Sequence, residues 1–184
     1  IRALADGVEH TTPEGVAFQL SPSWAKVAYL HRATQSSGWR QAELRVTDLG
    51  TGTTQTVGDR VDPFHYRFSP AGDGLVFLRA REVGYSYTGE LHLWDGDTSR
   101  LLEASVFTNW ENLESVVFSP DGRWLVYQPA ASYSERRTVL RQLATDTVVE
   151  LGTCVDFFTE GVTGFGALQQ TAHCALFLPD GDLV

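Results

Sequence analysis

One stretch of sequence decides the fold: residues 116–127, VVFSPDGRWLVY. Apolar residues alternate with their neighbours along both arms of the stretch. Between the arms lie Pro120, Asp121 and Gly122, which are residues that favour tight turns. The pattern predicts a β-hairpin. Because one hairpin cannot bury its apolar side alone, the fold depends on whether the pattern recurs.

The pattern recurs three more times along the 184 residues. Residues 66–77 read YRFSPAGDGLVF and residues 17–29 read AFQLSPSWAKVAY. The Ser-Pro pairs begin at positions 21, 69 and 119, so their spacings are 48 and 50 residues. Residues 164–177, GFGALQQTAHCALF, keep the apolar frame at the same spacing without the Ser-Pro-Asp-Gly letters. Self-similarity with this period indicates a repeat architecture.

Each of the first three repeats extends past its hairpin into two further strands, so that a repeat contains four strands, A to D. Four antiparallel strands every 48 to 50 residues are typical of a β-propeller blade. We therefore expect an all-β chain of about four blades, with repeats at residues 15–58, 64–104, 114–152 and 161–184 and a separate strand at 1–6. The whole chain is expected to be one propeller domain or a segment of a larger propeller.

The hairpin at residues 118–127, FSPDGRWLVY, resembles the WD-like repeat of TolB-type β-propellers. The same repeat occurs in the propeller domains of prolyl-oligopeptidase-family enzymes. The match is strongest in the third repeat, good in the second, weaker in the first and only a frame in the fourth. The resemblance implies the propeller fold and a periplasmic or otherwise exported protein, with the cytoplasmic face of a membrane complex as the alternative. It says little about function, because propellers host many activities.

The strand expected at residues 1–5 has two interpretations. It closes the fourth blade, which would remove exposed sheet edges, or it belongs to a preceding blade. Four-bladed rings are uncommon, so a segment of a larger propeller or an open array of blades is the favoured interpretation.

Cys154 and Cys174 are too few for a disulfide framework. Two interpretations remain open: the two cysteines form a single disulfide bridge, or both are free thiols.

Composition excludes some classes of partner. The formal net charge is −9 and the pI is about 4.9, which disfavours nucleic acid and anionic membranes as partners. No apolar run approaches the roughly 20 residues that a membrane-spanning helix needs. We therefore expect that this chain does not insert directly into a membrane. We expect its partner to be another protein, with a membrane-complex subunit among the candidates.

Long connections are predicted at only one end of each blade, where the D–A loops (58–65, 104–115 and 152–161 among them) and the B–C loops lie together. The D–A loops are rich in carboxylates and contain one arginine, Arg60, whereas the B–C loops carry arginines and aromatic residues. Long loops on a rigid scaffold commonly bind partners, and aromatic residues with arginine are frequent interface anchors. The predicted partner-binding residues are Trp39, Phe64, Tyr85, Tyr87, Phe107, Trp110, Tyr133, Arg136 and Phe157.

Catalysis finds little support in the sequence. The chain has no Gly-x-Ser-x-Gly elbow and no His-Glu-x-x-His motif. Its five histidines are scattered, and its loop carboxylates lack the spacing of a dedicated calcium loop. We expect a non-enzymatic interaction module, a scaffold or accessory subunit, without cofactor or metal. The alternatives are the propeller part of a prolyl-oligopeptidase-like hydrolase that gates substrate access, and a propeller that binds a small ligand or metal in its channel.

Overall fold

The computed structural model describes residues 18–36, 39–80, 88–107, 116–130, 137–153, 156–159 and 173–177, and the side chains of most of them. These residues form β-strands and turns, and no helix occurs among them. The chain divides into two compact units: residues 1–82 with 90–102, and residues 83–89 with 103–184. The all-β prediction is therefore confirmed, whereas the expected strand at residues 1–6 lies outside the described residues.

The first unit contains most of one seven-stranded sheet, whose strands follow one another in chain order. Its strands are β1 (Phe18–Leu20), β2 (Lys26–Ser36), β3 (Trp39–Asp48), β4 (Thr54–Phe68), β5 (Leu75–Ala80), β6 (Thr88–Trp94) and β7 (Ser99–Phe107). From β1 through β5, each strand pairs antiparallel with the next. We call β1, β2, β3 and the first part of β4 blade 1, and the rest of β4 with β5, β6 and β7 blade 2.

Strand β4 is shared by the two blades, and this corrects the sequence prediction of a D–A loop at 58–65. Its first part pairs with β3 and its last part pairs with β5. Val61 lies at the junction, opposite Ala42 on one side and Arg79 on the other. The preceding residue, Arg60, has a φ of 51°, and register shifts flank the junction. The chain bends here while it keeps its strand pairing, so no separate loop forms.

The second unit contains a four-stranded sheet that matches the third repeat. It consists of β8 (Val116–Phe118), β9 (Trp124–Tyr127), β10 (Arg137–Gln142) and β11 (Val148–Thr153), all paired antiparallel in chain order. We call this sheet blade 3. Its hairpin β8–β9 is the stretch from which the fold was predicted.

The fourth repeat departs from the prediction. Strand β13 (His173–Phe177) lies where strand B was expected, but its partner is β12 (Asp156–Thr159), and the two strands are parallel. Residues 152–161 had been predicted as a D–A loop. The fourth repeat lacks the Ser-Pro-Asp-Gly turn that fixes an antiparallel register locally. The predicted strand A at 161–168 lies outside the described residues.

The Ser-Pro turns owe their shape to a buried serine. In blade 3, Ser119 is 0% exposed; its N–H donates to Trp124 O at 3.0 Å and its carbonyl accepts from Gly122 N at 2.8 Å. Its hydroxyl donates to Asp121 Oδ1 at 2.6 Å and accepts from Trp124 N at 2.9 Å. Burial favours the neutral Asp121 carboxyl, but hydrogen bonds from Ser119 and Arg123 outweigh it and lower the pKa of Asp121. The assignment of this Asp to turn formation is confirmed.

Blades 1 and 2 share one hydrophobic core. It joins Leu44, Val46 and Val57 of blade 1 to Phe68, Phe77 and Trp94 of blade 2, together with other buried residues. Gly58 of β4 lies against the ring of Phe77, which is 2% exposed. A Cβ atom at Gly58 would lie 2.5 Å from Phe77 Cε2. Glycine at this position is therefore required by the close approach of the strand to the ring.

A second set of contacts joins the two blades at the end that carries their Ser-Pro turns. Lys26, the only lysine of the chain, places Nζ 3.1 Å from Asp73 Oδ2 and 5.4 Å from the centroid of the Trp94 ring. Ser23 Oγ donates to Asp73 Oδ1 at 2.8 Å. Lys26 and Asp73 side chains are 20% and 34% exposed. We call Ser23, Lys26, Asp73 and Trp94 the inter-blade clasp.

Replacing Gly58 by alanine is expected to destabilise the protein by roughly 1–3 kcal/mol, because the added methyl group overlaps the Phe77 ring in a packed core. Urea unfolding measures the change. Gly72→Ala is the matched control, since no atom lies within 4 Å of a Cβ placed there and no left-handed φ is required. Equal stabilities for the two variants would contradict the tight approach of Gly58 to Phe77.

The clasp makes stability depend on pH. Burial favours the neutral form of Asp73, but the hydrogen bonds from Ser23 and Lys26 and the lysine charge lower its pKa below 3.8. The contribution of a carboxylate with a lowered pKa is present above pH 3.8 and is lost as the pH falls through the folded-state value. A double-mutant cycle of Lys26→Met and Asp73→Asn should give a coupling of about 0.5–1 kcal/mol at pH 7.

The same cycle, followed by urea unfolding at pH 7 and again well below pH 3.8, tests the sign. The coupling should fade in acid and shrink in high salt, because both conditions weaken an ion pair that is partly exposed. A coupling that stays constant across this pH range would show that the Lys26–Asp73 contact has no ionic component.

Candidate functional site

The antiparallel order of the strands gives each blade two different ends. One end carries the Ser-Pro turns and the tight β3–β4 and β6–β7 turns, in which Asp48 accepts from Gly50 N and Asp95 accepts from Thr98 N, each at 2.9 Å. The other end carries the connections that follow strands B and D. We call it the loop end, and it is where the sequence predicts partner binding.

Blade 1 contributes less loop to this end than the sequence suggests. Strands β2 and β3 pair as far as Ser36 opposite Trp39, so only residues 37–38 separate them. Arg32 therefore lies on β2, and Trp39 and Arg40 lie on β3. The predicted B–C loop of the first repeat is wrong in extent, because the two strands continue their ladder beyond a register shift between His31 and Thr34.

The loop end of the first unit holds a cluster of charged side chains around the bend of β4. Arg79 Nη2 lies 2.8 Å from Asp59 Oδ1, and Arg79 Nη1 lies 3.7 Å from Glu90 Oε2. Arg60 Nε lies 3.6 Å from Asp59 Oδ2, and His92 Nε2 lies 3.3 Å from Glu90 Oε2. We call these five residues the loop-end cluster. They come from three strands: β4, β5 and β6.

Geometry explains why these residues meet. Val61 is the register partner of Arg79, so the bend places Asp59 and Arg60 close to the end of β5. Glu90 and His92 are two residues apart on β6, which puts both side chains on one face of the sheet. The His92 ring stacks on the Phe77 ring with centroids 5.2 Å apart and an interplanar angle of 12°. The cluster therefore rests directly on the core shared by blades 1 and 2.

The charged groups of the loop-end cluster pair with one another. Its two carboxylates and two guanidinium groups balance in formal charge when His92 is neutral. Burial opposes ionisation of Asp59, but the hydrogen bond and charge of Arg79, with a smaller contribution from Arg60, lower the pKa of Asp59. Because the charges are satisfied internally, the cluster is suited to holding the bend of β4 in shape more than to attracting an ion.

Among the residues whose side chains are described, no group of three or more His, Cys, Asp or Glu side chains could hold a metal ion. In the same part of the chain, no helix is long and apolar enough to cross a membrane.

The predicted partner-binding residues divide into two groups. By backbone position, Trp39 begins β3, Phe64 lies within β4, Phe107 ends β7 and Phe157 lies within β12. These four had been placed in loops, and the structure places them on strands because the strands continue further than local turn residues suggest. Tyr85, Tyr87, Trp110, Tyr133 and Arg136 lie outside the described residues, so their role in binding stays a prediction.

Sequence reasoning found part of the cluster. Asp59 and Arg60 lie within the D–A loop predicted at residues 58–65, and Arg79 is one of the arginines expected in the B–C loops. Glu90 and His92 lie on β6, and the His92 side chain is 15% exposed. The available signal was the spacing Glu90-Leu91-His92-Leu93-Trp94, which places the two polar side chains on the same face as the buried Trp94.

The fold that these blades define is a β-propeller. No protein-family model matches the chain, and no curated protein is significantly similar to it. Among solved structures, the chain is similar to the tricorn protease, with a TM-score of 0.51 and 11% identity over 79% of this chain and 14% of that one. The β-propeller domain of the Trilobed protease from Pyrococcus furiosus follows, with a TM-score of 0.49 and 18% identity over 68% of this chain and 38% of that one.

The chain is also similar to a protein assigned as TolB from Agrobacterium tumefaciens. The TM-score is 0.50 and the identity 17%, over 94% of this chain and 58% of that one. The TolB-type resemblance predicted from the hairpin sequence is thus confirmed at the level of the fold. The chain spans 14–58% of the length of these three structures.

Replacing Arg79 by glutamine should raise the pKa of Asp59 toward its ordinary value, because the nearest cation and hydrogen-bond donor is removed. The carboxyl carbon signal of Asp59, followed by NMR through an acid titration, measures the change. The stability that Asp59 contributes above pH 3.8, and loses as the pH falls through its lower folded value, should diminish in the variant.

Arg60→Gln is the matched control for this prediction. Arg60 lies farther from Asp59 and contributes less to its ionisation, so its removal should raise the pKa of Asp59 by a smaller amount. Asp59 is 60% exposed, and the loss of stability in either variant should stay near or below about 1 kcal/mol. An Asp59 titration that is identical in wild type and Arg79→Gln would refute the claim that Arg79 stabilises the charged form of Asp59.

Proposed function

We propose that this chain is a non-enzymatic protein-binding module that uses the loop end of its blades to contact another protein. The observation that carries the proposal is the difference between the two ends of a blade in blades 2 and 3. At one end the strands are joined by short turns with internal hydrogen bonds. At the other end, residues 81–87, 108–115 and 128–136 separate successive strands of the described sheets.

The composition of the loop end supports the proposal. Its sequence holds Tyr85, Tyr87, Trp110 and Tyr133, residue types that provide rigid contact area and a polar tip in protein interfaces. The loop-end cluster adds a stable platform, because its charges are paired and it rests on the Phe77 ring. A platform that keeps its shape lowers the entropy that must be lost when a partner binds.

We further propose that the module acts as a scaffold or accessory subunit of a larger assembly, with membrane-associated assemblies among the candidates. Similarity to a TolB protein is compatible with a periplasmic or otherwise exported location. The net charge of −9 argues against nucleic acid as the partner, since a polyanion would be repelled.

The experiment replaces Tyr85, Tyr87 and Trp110 together by alanine and measures capture of the partner from a pull-down that uses the wild-type protein as reference. Capture should fall at least tenfold if two or more of these residues are interface anchors, since each is then worth more than about 1 kcal/mol. The urea midpoint of the triple variant should stay close to that of the wild type, so that a loss of capture reports on binding and not on unfolding.

Trp24→Ala is the matched control, because it removes an aromatic side chain that is 72% exposed at the opposite end of blade 1. Its capture should equal that of the wild type. Undiminished capture by the triple variant would refute the loop end as the binding face. Equal losses in both variants would show that binding follows exposed aromatic surface in general.

A second candidate function is the propeller part of a larger hydrolase, which would gate access of substrate to an active site carried elsewhere. The similarity to the tricorn protease favours it, since that protein is a protease and this chain corresponds to 14% of its length. The complete coding sequence discriminates between the candidates. An adjoining α/β-hydrolase pattern with a Gly-x-Ser-x-Gly elbow, and peptide hydrolysis by the complete polypeptide, would support the hydrolase; a complete sequence without such a pattern would refute it.

A further inference from the structure

We draw no further inference here: the strongest candidate, the 72% exposed Trp24 side chain at the left-handed position (φ 60°) of the β1–β2 turn, carries nothing because nothing in the structure shows what covers it.

Discussion

A four-stranded blade has two apolar faces, and neither is removed from water until another layer packs against it. This constraint governs the first unit. Leu44 and Val46 of blade 1 are buried because Phe77 and Trp94 of blade 2 cover them, and the reverse is equally true. Fully burying one such side chain is worth about 1.5–3 kcal/mol, so the shared core outweighs any single ion pair at the surface. Each of these two blades therefore depends on the other for the burial of its core.

The less regular features of the first unit follow from that packing. Strand β4 stays continuous through its bend because it must pair with β3 before the bend and with β5 after it. Gly58 is needed because the strand passes directly over the Phe77 ring. At the end that carries the Ser-Pro turns, Lys26 and Asp73 form an ion pair between blades 1 and 2. At the loop end, Arg79 connects Asp59 to Glu90. Polar contacts thus border the shared core at both ends.

Local and non-local features differ in how far the sequence predicts them. The hairpin at residues 116–127 was predictable because its turn is held by residues close together in sequence. Ser119 forms hydrogen bonds with Asp121 and with Trp124, all within six residues. The same chemistry identified the turns at Ser21 and Ser69, and hence the period and the propeller fold. Where the fourth repeat loses these residues, the prediction loses its local basis, and β12 and β13 pair in parallel.

The loop end was predictable as a location but not in its contacts. The sequence predicts a loop at residues 58–65 between the first two blades, yet pairing with β3 and β5 overrides the local preferences there. Asp59 and Glu90 are far apart in sequence, and only the register of Val61 with Arg79 brings them to one guanidinium group. Sequence spacing reveals which residues share a strand face, whereas contacts across strands require the register.

The residues that stabilise the blades and some of those proposed to bind a partner occupy different parts of the chain. The core, the clasp and the loop-end cluster draw their side chains from strands and tight turns. Of the aromatic residues proposed to bind, Tyr85, Tyr87, Trp110 and Tyr133 fall in sequence between those strands. Loops carried on a rigid scaffold generally tolerate sequence variation at little cost in folding free energy. Such separation is the physical reason that one propeller fold can serve many partners, and why the blades alone do not identify the partner.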